Sequence, residues 1–262
     1  AQDNTITVRA PVTRSDVLHP IDIQEDVAIA YGYNNIPTSM PPVVTVGAEQ
    51  PLNKLSDQLR MVVALCQYTE VMTWALIQTE ENFEKIQRAD PGHKCVTIAN
   101  SKTDFTACRT TMIPGLLKVV QANKSVKLPI KIFELGDVVV QNKNKPEGAR
   151  NIRHLGVLYG GLTSGFEEVH GVLTRVMEQL DIAFVPFPEF KVDPSAKKLT
   201  YTIKASESTD TTYLPRRAAD VVLSTGETIG QFGIVHPGVL KQFELEQHAP
   251  CSILEINIEP FL

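Results

Sequence analysis

The stretch from Pro51 to Leu76 constrains the fold more than any other. After Pro51, a residue suited to a first helical turn, Leu52, Leu55, Leu59, Val62, Val63 and Cys66 recur at spacings that line one face of an α-helix. Glu70 to Leu76, EVMTWAL, follows almost at once and reads as a strand. A long amphipathic helix thus feeds directly into a strand, and the apolar face of each must be covered by something else in the chain.

Candidate covers lie downstream. Thr110 and Thr111 precede a helix with Pro114 in its first turn and Leu116, Leu117, Val119 and Val120 as apolar positions. Lys131 to Val140 and Leu155 to Tyr159 read as strands, with Gly136 marking a bulge or a close backbone approach. Phe166, Val169, Val172, Leu173, Val176, Met177 and Leu180 form the clearest helical stripe, with Ser164 and Glu167 in capping-box spacing. Strands follow at Leu199 to Ala205, Ala218 to Leu223 and Thr228 to Val235, the last two joined across Ser224-Thr225-Gly226-Glu227. A short helix over Gly238 to Glu244 and a strand with Leu254, Ile256 and Ile258 complete the pattern. Helices interleaved with hairpins predict an α+β architecture, an antiparallel sheet with helices packed on it.

The start of the chain is organised separately. Ile6 and Val8 alternate with Thr5 and Thr7 as a strand would, a short helix spans about Ile21 to Tyr31, and Gly32 to Pro37 ends it. Thr38 to Pro51 holds Pro41, Pro42 and Gly47 with few long apolar side chains, the composition of a connector. Four cysteines without a CxxC pair fit reduced thiols in a cytosolic setting and argue against zinc. The longest apolar runs fall far short of the roughly 18 residues needed to span a bilayer, so no membrane role is expected. A net charge of −5 argues against wrapping a phosphate backbone, although Lys118, Lys124, Lys127 and Lys131, and Lys143, Lys145, Arg150 and Arg153, are locally basic. Solvated faces account for such runs.

The densest group of functional atoms is acidic. Asp22, Glu25 and Asp26 share one helix edge through their spacing of three and four, and Asp16 lies just before it. From chemistry alone these are a hydrated helix start, or one paired with Arg14 or with a partner's basic residue. A hard cation held by oxygen ligands is the other reading. No phosphate-loop, dinucleotide, metalloprotease or hydrolase motif occurs. A nucleophilic pairing of Cys108 with His154 or His170 is the other catalytic alternative, since such partners meet only in space.

Thr13 to Pro37, TRSDVLHPIDIQEDVAIAYGYNNIP, resembles the end of the winged-helix-like domain in the β subunit of phenylalanyl-tRNA synthetases. Arg109 to Val120, Lys131 to Val140 and the closing EINIEPFL resemble the synthetase-like module that follows it. The resemblance implies residues 1–40 as the end of a winged-helix-like domain, 41–50 as linker, and 51–262 as a class II synthetase-like core without catalytic residues. The helix from Leu52 and the strand from Glu70 then correspond to the dimerisation motif. Gln67-Tyr68 departs from the Gly-Phe usual before Thr-Glu-Val. The resemblance further implies magnesium (Mg2+) bound by Asp16, Asp22, Glu25 and Asp26, an α-subunit partner in an α2β2 enzyme that joins phenylalanine to tRNA using ATP, and a cytoplasmic setting. The Lys131 to Val140 strand carries no arginine that could hold ATP, and Arg216 and Arg217 are the nearest alternatives. The chain stops where bacterial relatives continue into an anticodon-binding domain, which points to the archaeal and eukaryotic cytosolic type. The editing domain of such subunits lies upstream, so a fragment of a longer subunit is expected. A free-standing binding module, or an independent ligase or acyl-transfer enzyme using Cys108 or a histidine, are the alternatives.

Overall fold

The computed structural model describes residues 6–42, 47–99, 101, 103–195 and 198–262. The chain divides into two compact units, Ala1–Ala48 and Glu49–Leu262. Positions 43–46 of the expected linker, and Thr5 of the expected first strand, lie outside the described residues.

In the first unit, helix α1 (Pro20–Tyr31) starts with Pro20 at its first position, where no backbone N–H is needed. His19 is the N-cap: its Nδ1 accepts from the Ile21 N–H at 3.2 Å. Asp22 reaches back and accepts from the backbone N–H groups of His19 and Leu18 at 2.7 and 2.8 Å. His19, which directly precedes Pro20, therefore caps the helix. Gly32, at φ 92°, ends it. Residues 6–10 do not form the expected strand. Their alternation finds no pairing partner among the described residues, and an isolated strand has nothing to satisfy its backbone.

The second unit begins with α2 (Pro51–Leu65), whose Leu55, Leu59, Val62 and Val63 are buried. It leads through Gln67, held at φ 66°, into β1 (Thr69–Glu70). Position 67 is where the resemblance led to an expected glycine, and the left-handed φ gives the physical reason a glycine suits it. After β2 (Leu76–Ile77), α3 (Thr79–Asn82), β3 (Ala107–Cys108) and α4 (Ile113–Ala122) come the two longest strands, β4 (Ile130–Gln141) and β5 (Ala149–Gly160). Then follow α5 (Phe166–Gln179), β6 (Ala183–Phe184), β7 (Thr200–Ala205), β8 (Tyr213–Leu223), β9 (Thr228–Val235), α6 (Pro237–Gln242) and β10 (Cys251–Asn257).

Eight strands form one sheet in the order β1-β4-β5-β10-β9-β8-β7-β6, while β2 and β3 pair separately. Every inner pairing is antiparallel, and the two outermost, β1 with β4 and β6 with β7, are parallel. The α+β expectation holds, with a mostly rather than wholly antiparallel sheet. Helices α2 and α5 cover one face over Phe133, Leu155, Val157, Phe232, Leu254 and Ile256. Helices α4 and α6 cover the other over Ile132, Leu158, Val235 and Ile253. Each fully buried Leu, Val or Phe here contributes about 1.5–3 kcal/mol from water exclusion.

Several local expectations are corrected. The strand read over Glu70 to Leu76 splits into β1 and β2, because its ladder partner ends: the Val71 N–H to Phe133 carbonyl bond, at 2.8 Å, is the last one. Helix α5 is capped by Gly165 at φ 66° with no side-chain cap, so Ser164 and Glu167 form no capping box. Met112 rather than Thr111 is the N-cap residue of α4, and the Thr111 hydroxyl donates to Glu255 while accepting a long 3.4 Å bond from the Ile113 N–H. Gly136 is a close-approach point within an unbroken register; a Cβ there would sit 2.8 Å from Arg109 Nη2.

Candidate functional site

In the first unit, Arg14 lies between two members of the acidic group. Its guanidinium donates to Asp16 at 2.7 Å and to Asp26 at 2.8 Å. The bond from Arg14 holds the Asp16 carboxyl below its ordinary range, and the backbone donors of His19 and Leu18 do the same for Asp22. Asp16 and Asp26 in turn raise the Arg14 pKa. Glu25 is exposed. Among the described residues no three His, Cys, Asp or Glu side chains gather as metal ligands. The arrangement is thus the Arg14-paired one, with Asp22 committed to the helix cap. Helix α1 buries none of its residues, and Val27, Ile29 and Tyr31 are each about 60% exposed. Val8, Ile23, Val27 and Tyr31 line an apolar groove in this unit.

Buried charged residues of the second unit include Arg109, Glu134 and Glu255, on the α4 side of its sheet. Arg109 and Glu134 are 5% and 4% exposed and form an ion pair at 2.8 Å. Arg109 also donates to the Thr73 hydroxyl at 2.9 Å and the Asp137 carbonyl at 2.8 Å, and Thr73 donates to the second Glu134 oxygen at 2.6 Å. Both Glu134 oxygens and the Arg109 Nε and Nη1 atoms therefore have partners, the condition under which such a pair survives burial. Nearby, Glu255 accepts from the Thr111 hydroxyl, from the Met112 N–H at 3.1 Å, and contacts His154 Nδ1 at 2.7 Å. Burial alone would raise the Glu255 pKa, but the His154 and Thr111 bonds outweigh it and lower it to about 2.

The first network supports an exposed apolar segment. Val71 is tied to β4 by its backbone, Thr73 by the Arg109–Glu134 pair, and Ala75 by its carbonyl, which accepts from the Arg109 N–H at 2.8 Å. The alternate residues project outward: Met72 is 95% and Trp74 75% exposed, and Trp74 lies 5.7 Å from the Phe105 ring. Sequence reasoning missed Arg109 and Glu134 as a pair, because 25 residues separate them and no local spacing links them.

Other expectations resolve individually. Cys108 is not joined to a histidine: His154 engages Glu255, His170 stacks on Phe232 at 5.5 Å, and burial raises the Cys108 thiol pKa, the wrong direction for a nucleophile. All four cysteines are free thiols. The basic runs are largely neutralised at home, Lys118 by Glu81 at 2.6 Å, Lys131 by Glu168 at 2.8 Å, Arg150 by Glu259 and Arg153 by Asp137. Arg216 and Arg217 are exposed on β8 and do not reach the interior face. No helix among the described residues is long and apolar enough to cross a membrane.

The large, mostly antiparallel sheet, covered on both faces by helices and entered from a long helix and a short edge strand, is a fold shared with a solved tRNA synthetase. It is similar to the solved structure of the Desulfitobacterium hafniense pyrrolysyl tRNA synthetase PylSc, with a TM-score of 0.60 at 14% identity over 83% of this chain and 69% of that one. Residues 36–258 match the phenylalanyl tRNA synthetase beta chain CLM domain and residues 1–33 the tRNA synthetase B5 domain. The chain belongs to the phenylalanyl-tRNA synthetase β-chain family, as its motifs suggested. It is 45% identical over 260 residues to the mouse phenylalanine–tRNA ligase beta subunit, and 46% over 258 to the Arabidopsis thaliana protein named phenylalanine–tRNA ligase beta subunit, cytoplasmic. The human beta subunit is 42% identical over 260 residues. These alignments take in 98–99% of the chain, which spans 42% of the length of each relative.

Proposed function

We propose that the chain is the assembly part of a phenylalanine–tRNA ligase β subunit, a catalytically silent module that joins the catalytic α subunit in a cytoplasmic α2β2 enzyme acting on tRNA. The observation that carries this is the Met72–Trp74 segment: two large apolar side chains held outward by a buried ion pair have the form of an interface anchor, since aromatic side chains fixed in place dominate binding energy. Catalytic silence is supported by the α4 side of the sheet. Met112, Ile113 and Leu116 pack there against Leu158 and Ile253, and β4 carries no arginine to meet a phosphate. In this reading residues 1–40 are the end of a winged-helix-like domain, 41–50 a linker, and 51–262 the synthetase-like core.

The same reading makes Asp16, Asp22, Glu25 and Asp26 magnesium ligands. The donor set is all oxygen and anionic, which fits a hard dication in kind, and Arg14 already satisfies part of its demand for positive charge. Bound there, the ion would tie the carboxylates together as a fixed local charge. The test of assembly is co-expression with the α subunit, size-exclusion chromatography and phenylalanine-dependent aminoacylation on each fraction. A stable complex with activity only where α is present supports the reading; failure to associate, or turnover by the chain alone, refutes it.

A further inference from the structure

The edge of the sheet beyond β7 holds a local irregularity that the assembly role does not use. Strand β8 pairs with β9 at Tyr213↔Val235 and again at Ala218↔Gly233. Four residues, Leu214 to Arg217, therefore stand opposite the single Ile234. Strand β7 pairs only as far as Ala205↔Ala219, so the bulge has no neighbour on its other side. Pro215, lacking an N–H, discourages a further strand from adding there. Arg216 sits at φ 62°, a left-handed conformation that is unfavourable for a non-glycine residue and is kept where surrounding structure enforces it. Bulges of this kind re-aim side chains.

What the bulge presents is two adjacent, exposed arginines. Neither has a carboxylate within ion-pair distance among the described residues. This is notable because the neighbouring loop, anchored to the bulge by the Ser206 N–H to Ala218 carbonyl bond at 3.1 Å, carries two acids that are already taken. Glu207 pairs with Lys204 at 3.1 Å and Asp210 with Arg88 at 3.8 Å. The loop otherwise displays hydroxyls, Ser206, Ser208, Thr209 and Thr211, and no large apolar side chain. Paired guanidinium forks beside a hydroxyl-bearing loop are groups that contact phosphate oxygens, and the absence of an apolar anchor is unlike a protein hot spot.

We propose that the β8 bulge is an RNA-backbone contact, with Arg216 and Arg217 each engaging a phosphate without reading bases. The choice of RNA as the phosphate-bearing partner rests on the tRNA-ligase reading, whereas the phosphate contact itself rests on the bulge and its two arginines. The test titrates the chain with fluorescently labelled tRNA between about 50 and 200 mM salt. In the wild type, log affinity falls linearly with log salt; Arg216→Gln and Arg217→Gln each weaken binding and make that slope shallower by about 0.7–0.9, irrespective of tRNA sequence. Lys143→Gln, on the exposed loop between β4 and β5, leaves the slope unchanged, and an unaltered melting temperature shows that the variants fold. Unchanged slopes in the arginine variants, no tRNA binding across this salt range, or equally effective competition by polyglutamate, which would indicate an acidic protein surface, each overturn it. Loss of α-subunit association with arginine-dependent tRNA binding retained would instead count against the assembly reading alone.

Discussion

Replacing Arg109 by methionine removes the positive half of a buried pair while keeping a side chain of similar reach. Glu134, 4% exposed, would then keep only the Thr73 hydroxyl as a side-chain donor, and the Asp137 carbonyl would lose its guanidinium partner. Leaving one member of such a pair uncompensated costs about 3–5 kcal/mol. For a unit of this size that corresponds to a fall in melting temperature of roughly 6–20 °C. Thermal and urea unfolding of the whole chain, followed by circular dichroism, measures the loss, and the double variant Arg109→Met with Glu134→Leu should recover most of it, since no unpaired charge remains. A cost for Arg109→Met below about 1 kcal/mol, or a double variant no more stable than the single one, would refute the claim that the two charges compensate each other.

Trp74→Ala, at a 75% exposed position, should leave the melting temperature within a degree or two yet weaken α-subunit capture by about 2 kcal/mol or more, read by surface-immobilised binding. The Glu255 carboxyl is lowered to about 2 in the folded chain from an unfolded value near 4.5, so it stabilises the fold above that unfolded value and loses the contribution as pH falls toward 2. The stability penalty of Glu255→Gln should accordingly shrink across this window in urea melts, and a penalty independent of pH would contradict the assignment. Asp26→Ala should lower magnesium retention by the assembled enzyme, measured by metal analysis after gel filtration; unchanged metal content would sink the magnesium reading.

The stripes of α2 and α5 were legible because each helix buries one continuous face, so spacing alone located them. The cap of α5 was not, because Gly165 begins that helix through its backbone and leaves Ser164 without the role its position suggested. The outer half of β5 escaped notice for a different reason. Arg150, Asn151 and Arg153 look like loop residues, yet their backbones pair with Val140, Val139 and Asp137 beyond the buried part of the sheet. In β10, alternation at Leu254 and Ile256 reported only the α2 and α5 face, while Cys251 and Ile253 face α4 and α6. The acidic group at the start of α1 was visible from its three- and four-residue spacing, whereas Arg14 reaches Asp26 only because the chain turns back over 12 residues. The Arg109–Glu134 pair had no local signature, beyond one glutamate between Phe133 and Leu135 in the apolar middle of β4.

That pair also explains why the Met72–Trp74 segment needs a charge beneath it. A well-packed apolar replacement is often as stable as a buried ion pair, or more so, and stability alone therefore does not account for Arg109 and Glu134. What hydrogen bonds add is direction: Thr73 is held by both charged groups, and the Arg109 backbone holds Ala75, which fixes which residues between Val71 and Ala75 face outward. In a segment that has lost its ladder after Val71, these bonds are what tie the inward-facing positions to the sheet. The double variant Arg109→Met with Glu134→Leu consequently separates the two roles. It should unfold near the wild-type temperature yet bind the α subunit about 10-fold or more weakly, the cost of about 1.4 kcal/mol for ordering two freed anchor side chains on binding. Wild-type affinity in that variant would mean that Met72 and Trp74 are held by packing alone.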